Sequence, residues 1–226
     1  MESINAIVSS LLKSPVAIGL FLLSWIVYPN ESLQESWELS WRNGIWDVEN
    51  WQFLSCHFTH WSMDQLFWDS IAFLVLGVIC ERRNRLQFVT TVLISAATVS
   101  ISTLVFCSYV TSYRGLSGID SALFVLAAVG IICDAWKTNR SLSIFGFLGL
   151  ATFLAKTAYE FRFGSTLFVT DESFRPLPLA HIIGALTALG VSLIAAVVAR
   201  LGSRFLKPNL SLVQIPFSRM NPNVSC

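Results

Sequence analysis

The sequence predicts an all-α membrane protein of six spanning helices, with the N-terminus and the C-terminus both cytoplasmic. Three observations predict it. Of 226 residues, 54% are hydrophobic and only 13% charged, with a mean hydropathy of +0.62, whereas a soluble domain carries about 25% charged residues. Apolar stretches recur near the ~20 residues that a bilayer core requires. Lys and Arg gather in alternate loops. A net charge of +1 gives no support for nucleic-acid binding. Cys56, Cys80, Cys107, Cys133 and Cys226 form no CxxC pair and read as small apolar core residues. The topology also allows a Cys56–Cys107 disulfide.

The first span covers 15–28, lengthened by 4–12. Lys13 before an apolar run resembles a signal peptide, but Pro29-Asn30-Glu31 follows where a small-residue cleavage site would stand. The other spans cover 63–80, 86–110, 116–135, 141–156 and 179–201. With the N-terminus inside, ten Lys and Arg fall inside: Lys13, Arg82, Arg83, Arg85, Lys137, Arg140, Arg200, Arg204, Lys207 and Arg219. Five fall outside: Arg42, Arg114, Lys156, Arg162 and Arg175. The tightest cluster, Arg82-Arg83-Asn84-Arg85, sits in a short inside loop, where the rule has most force. Two long segments lie outside. Segment 30–62 mixes Trp37, Trp41, Trp46, Trp51 and Trp61 with five carboxylates and reads as a loop held in the headgroup region by its aromatics. Segment 158–178 ends in Pro176-Leu177-Pro178, which fixes the start of the last helix. The membrane domain is thus 1–201, and 202–226 is a short polar cytoplasmic tail.

Ionisable groups within spans are costly and are functional candidates by default. Here they are His60, Asp69, Asp120 and His181. The second, fourth and sixth spans all start at the outer face. His60, Ser117 and His181 therefore share the outer mouth, with Asp69 and Asp120 one to two turns deeper at ~1.5 Å per residue. Ser117, in Gly115-Leu116-Ser117-Gly118, is a candidate nucleophile. His181, in Ala180-His181-Ile182-Ile183-Gly184, is the candidate base that takes its proton and returns it to the leaving amine. Their helices must touch, and Gly118, Ser121 and Ala122 facing Gly184, Ala185 and Ala188 permit it. Taken singly, a GLSG at a helix start is more often cap and packing, and a lone histidine more often structural. The shared depth favours chemistry. Donors for an oxyanion are the Ser117 N–H at the helix start and the Gln65 amide, with His60 and Gly118 supporting. Asp69, four residues after Gln65, reads either as part of that site or as a polar clamp between helices. Asp120 reads as a structural group that binds Arg114 or a tyrosine, or as the group that orients His181. The soluble G-x-S-x-G elbow is absent, since Ile119 stands at its second glycine.

From about Trp51 to Ala196 these residues resemble the rhomboid intramembrane serine proteases. The family's GxSG matches Gly115-Leu116-Ser117-Gly118. Its small-His-x-x-Gly pattern matches Ala180-His181-Ile182-Ile183-Gly184. Its His-x4-His-x3-Asn is met by His60, Gln65 and Asp69, and a downstream glycine by Gly77. The tyrosine that often follows the nucleophile by four and stacks on the histidine is Ser121 here. The resemblance implies a six-helix rhomboid-like bundle and a Ser117–His181 dyad without an acid. It implies a Trp-rich outer loop and a cap before the last helix. It implies a serine endopeptidase that cleaves single-pass membrane proteins in the lipid bilayer near the outer face, with no metal and no cofactor. The minimal six-span form resembles the bacterial inner-membrane members, and Tyr113-Arg114-Gly115-Leu116-Ser117-Gly118 is similar to the rhombosortase branch, which processes C-terminal sorting tails. The departures at Gln65, Asp69 and Ser121 fall on the oxyanion site and leave the dyad. The rival reading is an inactive rhomboid-like adaptor that binds membrane helices. A transporter is disfavoured, since the polar groups cluster at one mouth.

Overall fold

The computed structural model describes residues 13–40, 48–107, 109–165 and 177–205, with 203–205 described by backbone alone. The extension of the first span over 4–12, Trp41, Arg42, Trp46 and Asp47, most of the segment before the last helix, and the tail from 206 lie outside the described residues.

Helix α1 (Pro15–Val27) starts with proline in its first turn, where the missing N–H costs nothing. Ser14 gives no side-chain cap. Instead, the Glu81 carboxylate accepts from the N–H groups of Val16 (3.4 Å) and Ala17 (2.8 Å). At ~1.5 Å per residue, 13 residues rise only about 20 Å, short of the ~30 Å hydrocarbon core. The chain then turns by 116° into α2 (Glu31–Trp37), capped by Asn30. The first span is therefore a short helix and a bent continuation. Among the described residues five helices are long and apolar enough to cross a membrane, or six if this bent pair counts as one, and the chain is an integral multi-pass membrane protein.

The Trp-rich segment carries more structure than the expected interfacial loop. After α2 come β1 (Leu39–Ser40), α3 (Gln52–Ser55) and a 3-10 turn, Cys56–Phe58. Strand β1 pairs antiparallel with β2 (Ser112–Tyr113), Leu39 opposite Tyr113. The segment is thus tied to the residues that lead into Ser117. Helix α4 (Met63–Arg83) is capped by Ser62 and α5 (Arg85–Phe106) by Asn84. Helix α6 (Ser117–Ala135) follows β2, then α7 (Arg140–Phe163), capped by Asn139, and α8 (Pro178–Phe205).

Helix α6 is the axis of the bundle. Its membrane window is 67% buried, against 17% for α7 and for α8. Its core-facing residues, Ile119, Ala122, Leu123, Leu126 and Ala127, pack with Phe73, Phe88 and Ala188. Small residues let backbones approach where dispersion, not water, drives packing. The outer faces are apolar, with Phe145, Leu148, Phe161, Leu193 and Ile194 exposed, as lipid requires.

One expectation is corrected, and one pairing that the topology allows is not made. Helix α7 does not end at 156 but continues to Phe163. Lys156 and Glu160 neutralise each other one turn apart at 2.7 Å, so their charges do not stop the helix. Gly164 closes it in the left-handed conformation, φ 67. Cys56 and Cys107 form no disulfide, and both are free and buried. Cys56 Sγ lies 3.4 Å from Ser100 Oγ, and burial pushes its thiol up to about 12, which keeps it an inert thiol.

Candidate functional site

The site is set by how the chain enters α6. Gly115 has φ 121, a region that side chains other than glycine rarely adopt. A Cβ there would also collide with the Gln65 amide nitrogen and lie 3.3 Å from Asp69 Oδ2. Both backbone groups of Gly115 are held. Its N–H donates to Cys56 O at 3.2 Å. Its carbonyl faces His57 Nδ1 at 3.2 Å and accepts from the Tyr113 hydroxyl at 3.3 Å. The other His57 nitrogen lies 3.0 Å from Ala96 O and 3.1 Å from Ser100 Oγ. Burial pulls the His57 pKa down to about 4, so the ring is neutral at pH 7. His57 is a bracket that fixes the Gly115 turn, and the sequence reading passed it over. The signal was there: His57 stands three residues before His60 in one His-Phe-Thr-His run.

Helix α6 begins with Leu116 at its N-cap and no side-chain cap. Asp120 N–H makes the first helical bond, to Leu116 O at 2.9 Å. The first-turn N–H groups of Ser117 and Gly118 are therefore unspent donors at the positive end of the helix dipole. Ser117 is half-buried. Ser121 Oγ donates back to Ser117 O at 2.8 Å and so is spent on its own helix.

Helix α8 meets α6 backbone to backbone. A Cβ at Gly184 would strike Gly118 O and lie 3.3 Å from Ala122 N, and one at Gly118 would lie 3.3 Å from Ala180 O. Ala188, one turn further, is fully buried. The small-residue seam expected from sequence is present. Ser117 adjoins Gly118, and His181 lies on the Gly184 face of α8, three residues earlier. The two helices thus bring both residues to one end of the bundle. Among the described residues no hydrogen bond joins the Ser117 hydroxyl to the His181 ring.

What touches His181 is Glu160 of α7. His181 Nδ1 and Glu160 Oε2 are 3.0 Å apart, 7% and 2% exposed. The oxygen stands off the line of the ring N–H, and neither atom has another partner among the described residues. The second carboxylate oxygen binds Lys156. Asp120, read from sequence as a structural group or as one that orients the histidine, makes no such contact. It is buried with Oδ1 unpartnered, close enough to Asp69 and Lys156 for their charges to interact. Arg114, its suggested partner, instead pairs with Glu38 at 2.7 Å and stacks over Trp61 at 4.4 Å. The sequence reading missed Glu160 because it ended the span at Lys156. The i,i+4 Lys-Glu spacing and the apolar Tyr159, Phe161 and Phe163 were the signal that the helix continued.

Helix α4 supplies the remaining wall. Gln65 Oε1 accepts from Trp61 N–H at 2.9 Å, and Nε2 donates to Arg114 O at 3.4 Å, while the Asp69 carboxyl lies within hydrogen-bond reach of the same amide. Among the described residues the ring nitrogens of fully buried His60 have no hydrogen-bond partner, and Nε2 lies 3.8 Å from Asp69 Oδ2, beyond direct hydrogen-bond reach. Burial pulls the His60 pKa down to about 3, so it too is neutral. Among the described residues no group of three or more His, Cys, Asp or Glu is arranged to hold a metal ion.

A search of curated proteins finds no match to the chain. The family model for the Rhomboid domain matches residues 47–200, more than half of the sequence and all of the elements from α3 onward that build this end of the bundle. The chain belongs to the rhomboid family.

Proposed function

We propose that the protein is an intramembrane serine endopeptidase whose nucleophile is Ser117 and whose base is His181. The observation that carries this reading is the α6–α8 contact at Gly118 and Gly184, in a chain of the rhomboid family. It sets a half-buried serine, with undonated helix N–H groups beside it, against the helix that bears a buried histidine. His181 Nδ1 faces Glu160, so Nε2 is the nitrogen free to serve Ser117. Nε2 takes the Ser117 proton as Oγ attacks the scissile carbonyl. The oxyanion is met by the N–H groups of Ser117 and Gly118 and by the Gln65 amide, which turns to it from Asp69. The ring then gives its proton to the leaving amine, and the acyl-enzyme is hydrolysed by water. Catalytic hydrogen bonds are often long in unliganded sites and tighten with substrate bound.

The substrate class is a single-pass membrane protein. The excess of Lys and Arg at the opposite end of the bundle supports a reading with the site at the outer face and both termini in the cytoplasm, and the minimal six-span form supports a bacterial inner membrane. A C-terminal sorting tail is the substrate if the rhombosortase likeness holds. A second reading, a rhomboid-like adaptor that binds helices without cutting them, is favoured by the Ser117 hydroxyl having no bond to the ring. Labelling by a fluorophosphonate probe separates the two. Wild type labels and Ser117→Ala does not. Equal labelling of both removes Ser117 as nucleophile, and no labelling of either, with no cleavage of a transmembrane reporter, favours the adaptor.

A further inference from the structure

We infer that Glu160 is the positioning residue for His181, so that the site works as a Ser117–His181–Glu160 relay of contacts rather than as a bare Ser–His pair. The inference rests on the reading of His181 as base. Three observations carry it. The contact joins two buried atoms, Glu160 Oε2 and His181 Nδ1, 3.0 Å apart, and neither has another partner among the described residues. Leaving both unmatched in a dry interior is costly, so each selects the other. The carboxylate faces Nδ1, though off the line of its N–H, so it favours the proton on that nitrogen in the neutral ring and leaves the Nε2 lone pair to accept from Ser117. The groups that could compete do not reach the ring among the described residues: Ser121 Oγ is bonded to Ser117 O, and Asp120 Oδ1 has no hydrogen-bond partner.

Glu160 is itself held. Its Oε1 binds Lys156 one turn earlier at 2.7 Å, and α7 extends far enough past the end expected from sequence to deliver it. During attack one proton moves, from Ser117 Oγ to His181 Nε2. The ring becomes cationic, Nδ1 keeps its proton, and the carboxylate beside it stabilises the imidazolium. Glu160 accepts no proton. A neutral glutamine at 160 removes that stabilisation and can offer its own N–H to Nδ1, which selects the wrong tautomer.

The test uses the full chain in detergent micelles, labelled with 15N-histidine, the His181 signals assigned by their loss in His181→Gln. In wild type at neutral pH the His181 spectrum is that of the Nδ1–H tautomer. In Glu160→Gln it moves toward the Nε2–H tautomer. In parallel, cleavage of a transmembrane reporter by Glu160→Gln shows kcat lower by about 100-fold with KM within about two-fold of wild type, and Glu160→Asp recovers part of the loss. Unchanged His181 nitrogen shifts in Glu160→Gln overturn the inference, as does a kcat within about two-fold of wild type. If the wild-type protein neither labels with the probe nor cleaves, the protease reading fails, and the tautomer measurement still decides whether Glu160 sets His181.

Discussion

Glu81 and Glu160 are the same side chain in nearly the same setting at opposite ends of the bundle. Each is buried, at 0% and 2% exposure, and each pairs with a cation four residues away, Arg85 at 2.9 Å and Lys156 at 2.7 Å. They differ in what the rest of the carboxylate does. Glu81 accepts the N–H groups of Val16 and Ala17 and so finishes the uncapped start of α1, a fixed arrangement of donors that never changes charge. Glu160 faces a histidine ring, which can gain and lose a proton. A buried carboxylate is thus read by its third partner, not by its burial or its ion pair. The ends differ likewise as wholes: all three histidines of the sequence stand around the start of α6, with His57 on Gly115, His60 near Asp69 and His181 on Glu160.

Matched glycine substitutions test the two ends most severely. In Gly184→Ala the new Cβ meets the backbone of Gly118 and Ala122, which cannot yield without separating α6 from α8. A displacement near 1 Å at a catalytic pair costs about 100-fold, so cleavage of a transmembrane reporter falls by at least about that much. In Gly130→Ala the new Cβ meets the Arg83 guanidinium, 2.7 Å from Nη1. That is the far end of a flexible side chain, and it can swing aside, so activity stays within about two-fold. Full activity of Gly184→Ala would show that the close contact does not set the site.

Much of this was legible in the sequence because it rests on local grammar. The helices are long apolar runs. The seam is a step of small residues, and the Ser117 and His181 motifs open their helices. What was not legible depends on partners remote in sequence. The Trp-rich segment folds onto the core because β1 finds β2, which lies over seventy residues on, a pairing that no local pattern announces. Glu160 was lost to a boundary, since Lys156 looked like the end of a span and a one-turn ion pair hides both charges from lipid. The orienting role considered for Asp120 followed from spacing along one helix. The acid that reaches the ring comes from another helix, and helix-to-helix register is set by side-chain packing in three dimensions.

Acid separates the ends next. Burial holds His57 at about 4 and His60 at about 3, each below the ordinary 6.5. A histidine with a lowered folded pKa favours the native state only while neutral. Between pH 6.5 and 4 the unfolded chain binds the protons that the folded chain refuses, so stability falls as pH falls and levels off below the folded values. Each ring contributes on the order of 3 kcal/mol across that window. Thermal melts in detergent from pH 7.5 to 4 therefore show a steep loss, and His60→Gln flattens it. A melting temperature independent of pH over this range would mean that these rings are not buried as neutral bases. Glu81→Ala comes after this. It frees Arg85, already 57% exposed, into water at little cost, but orphans the Val16 and Ala17 donors. The loss is about 2 kcal/mol of stability, with kcat of the folded fraction unchanged, the inverse of the split expected for Glu160→Gln. A fall in kcat with stability intact would erase the contrast between the two glutamates.

The smallest effect belongs to the best-formed ion pair. Arg83 reaches Asp134 through two hydrogen bonds, Nε and Nη2 each at 2.9 Å, a bidentate geometry that is strong when dry. Its partners are 37% and 66% exposed, however, and exposed pairs are worth about 0–1 kcal/mol because water and salt screen them. Asp134→Asn should therefore lower stability by less than about 1 kcal/mol, and less still at high salt. Exposure in that ranking assumes water at the end of the bundle. If lipid headgroups cover the pair instead, the effective dielectric drops and the same two bonds gain strength. A loss in liposomes that exceeds the loss in detergent would then report how deep the Arg83 end sits, and would narrow the gap between a rim pair and the buried Glu81.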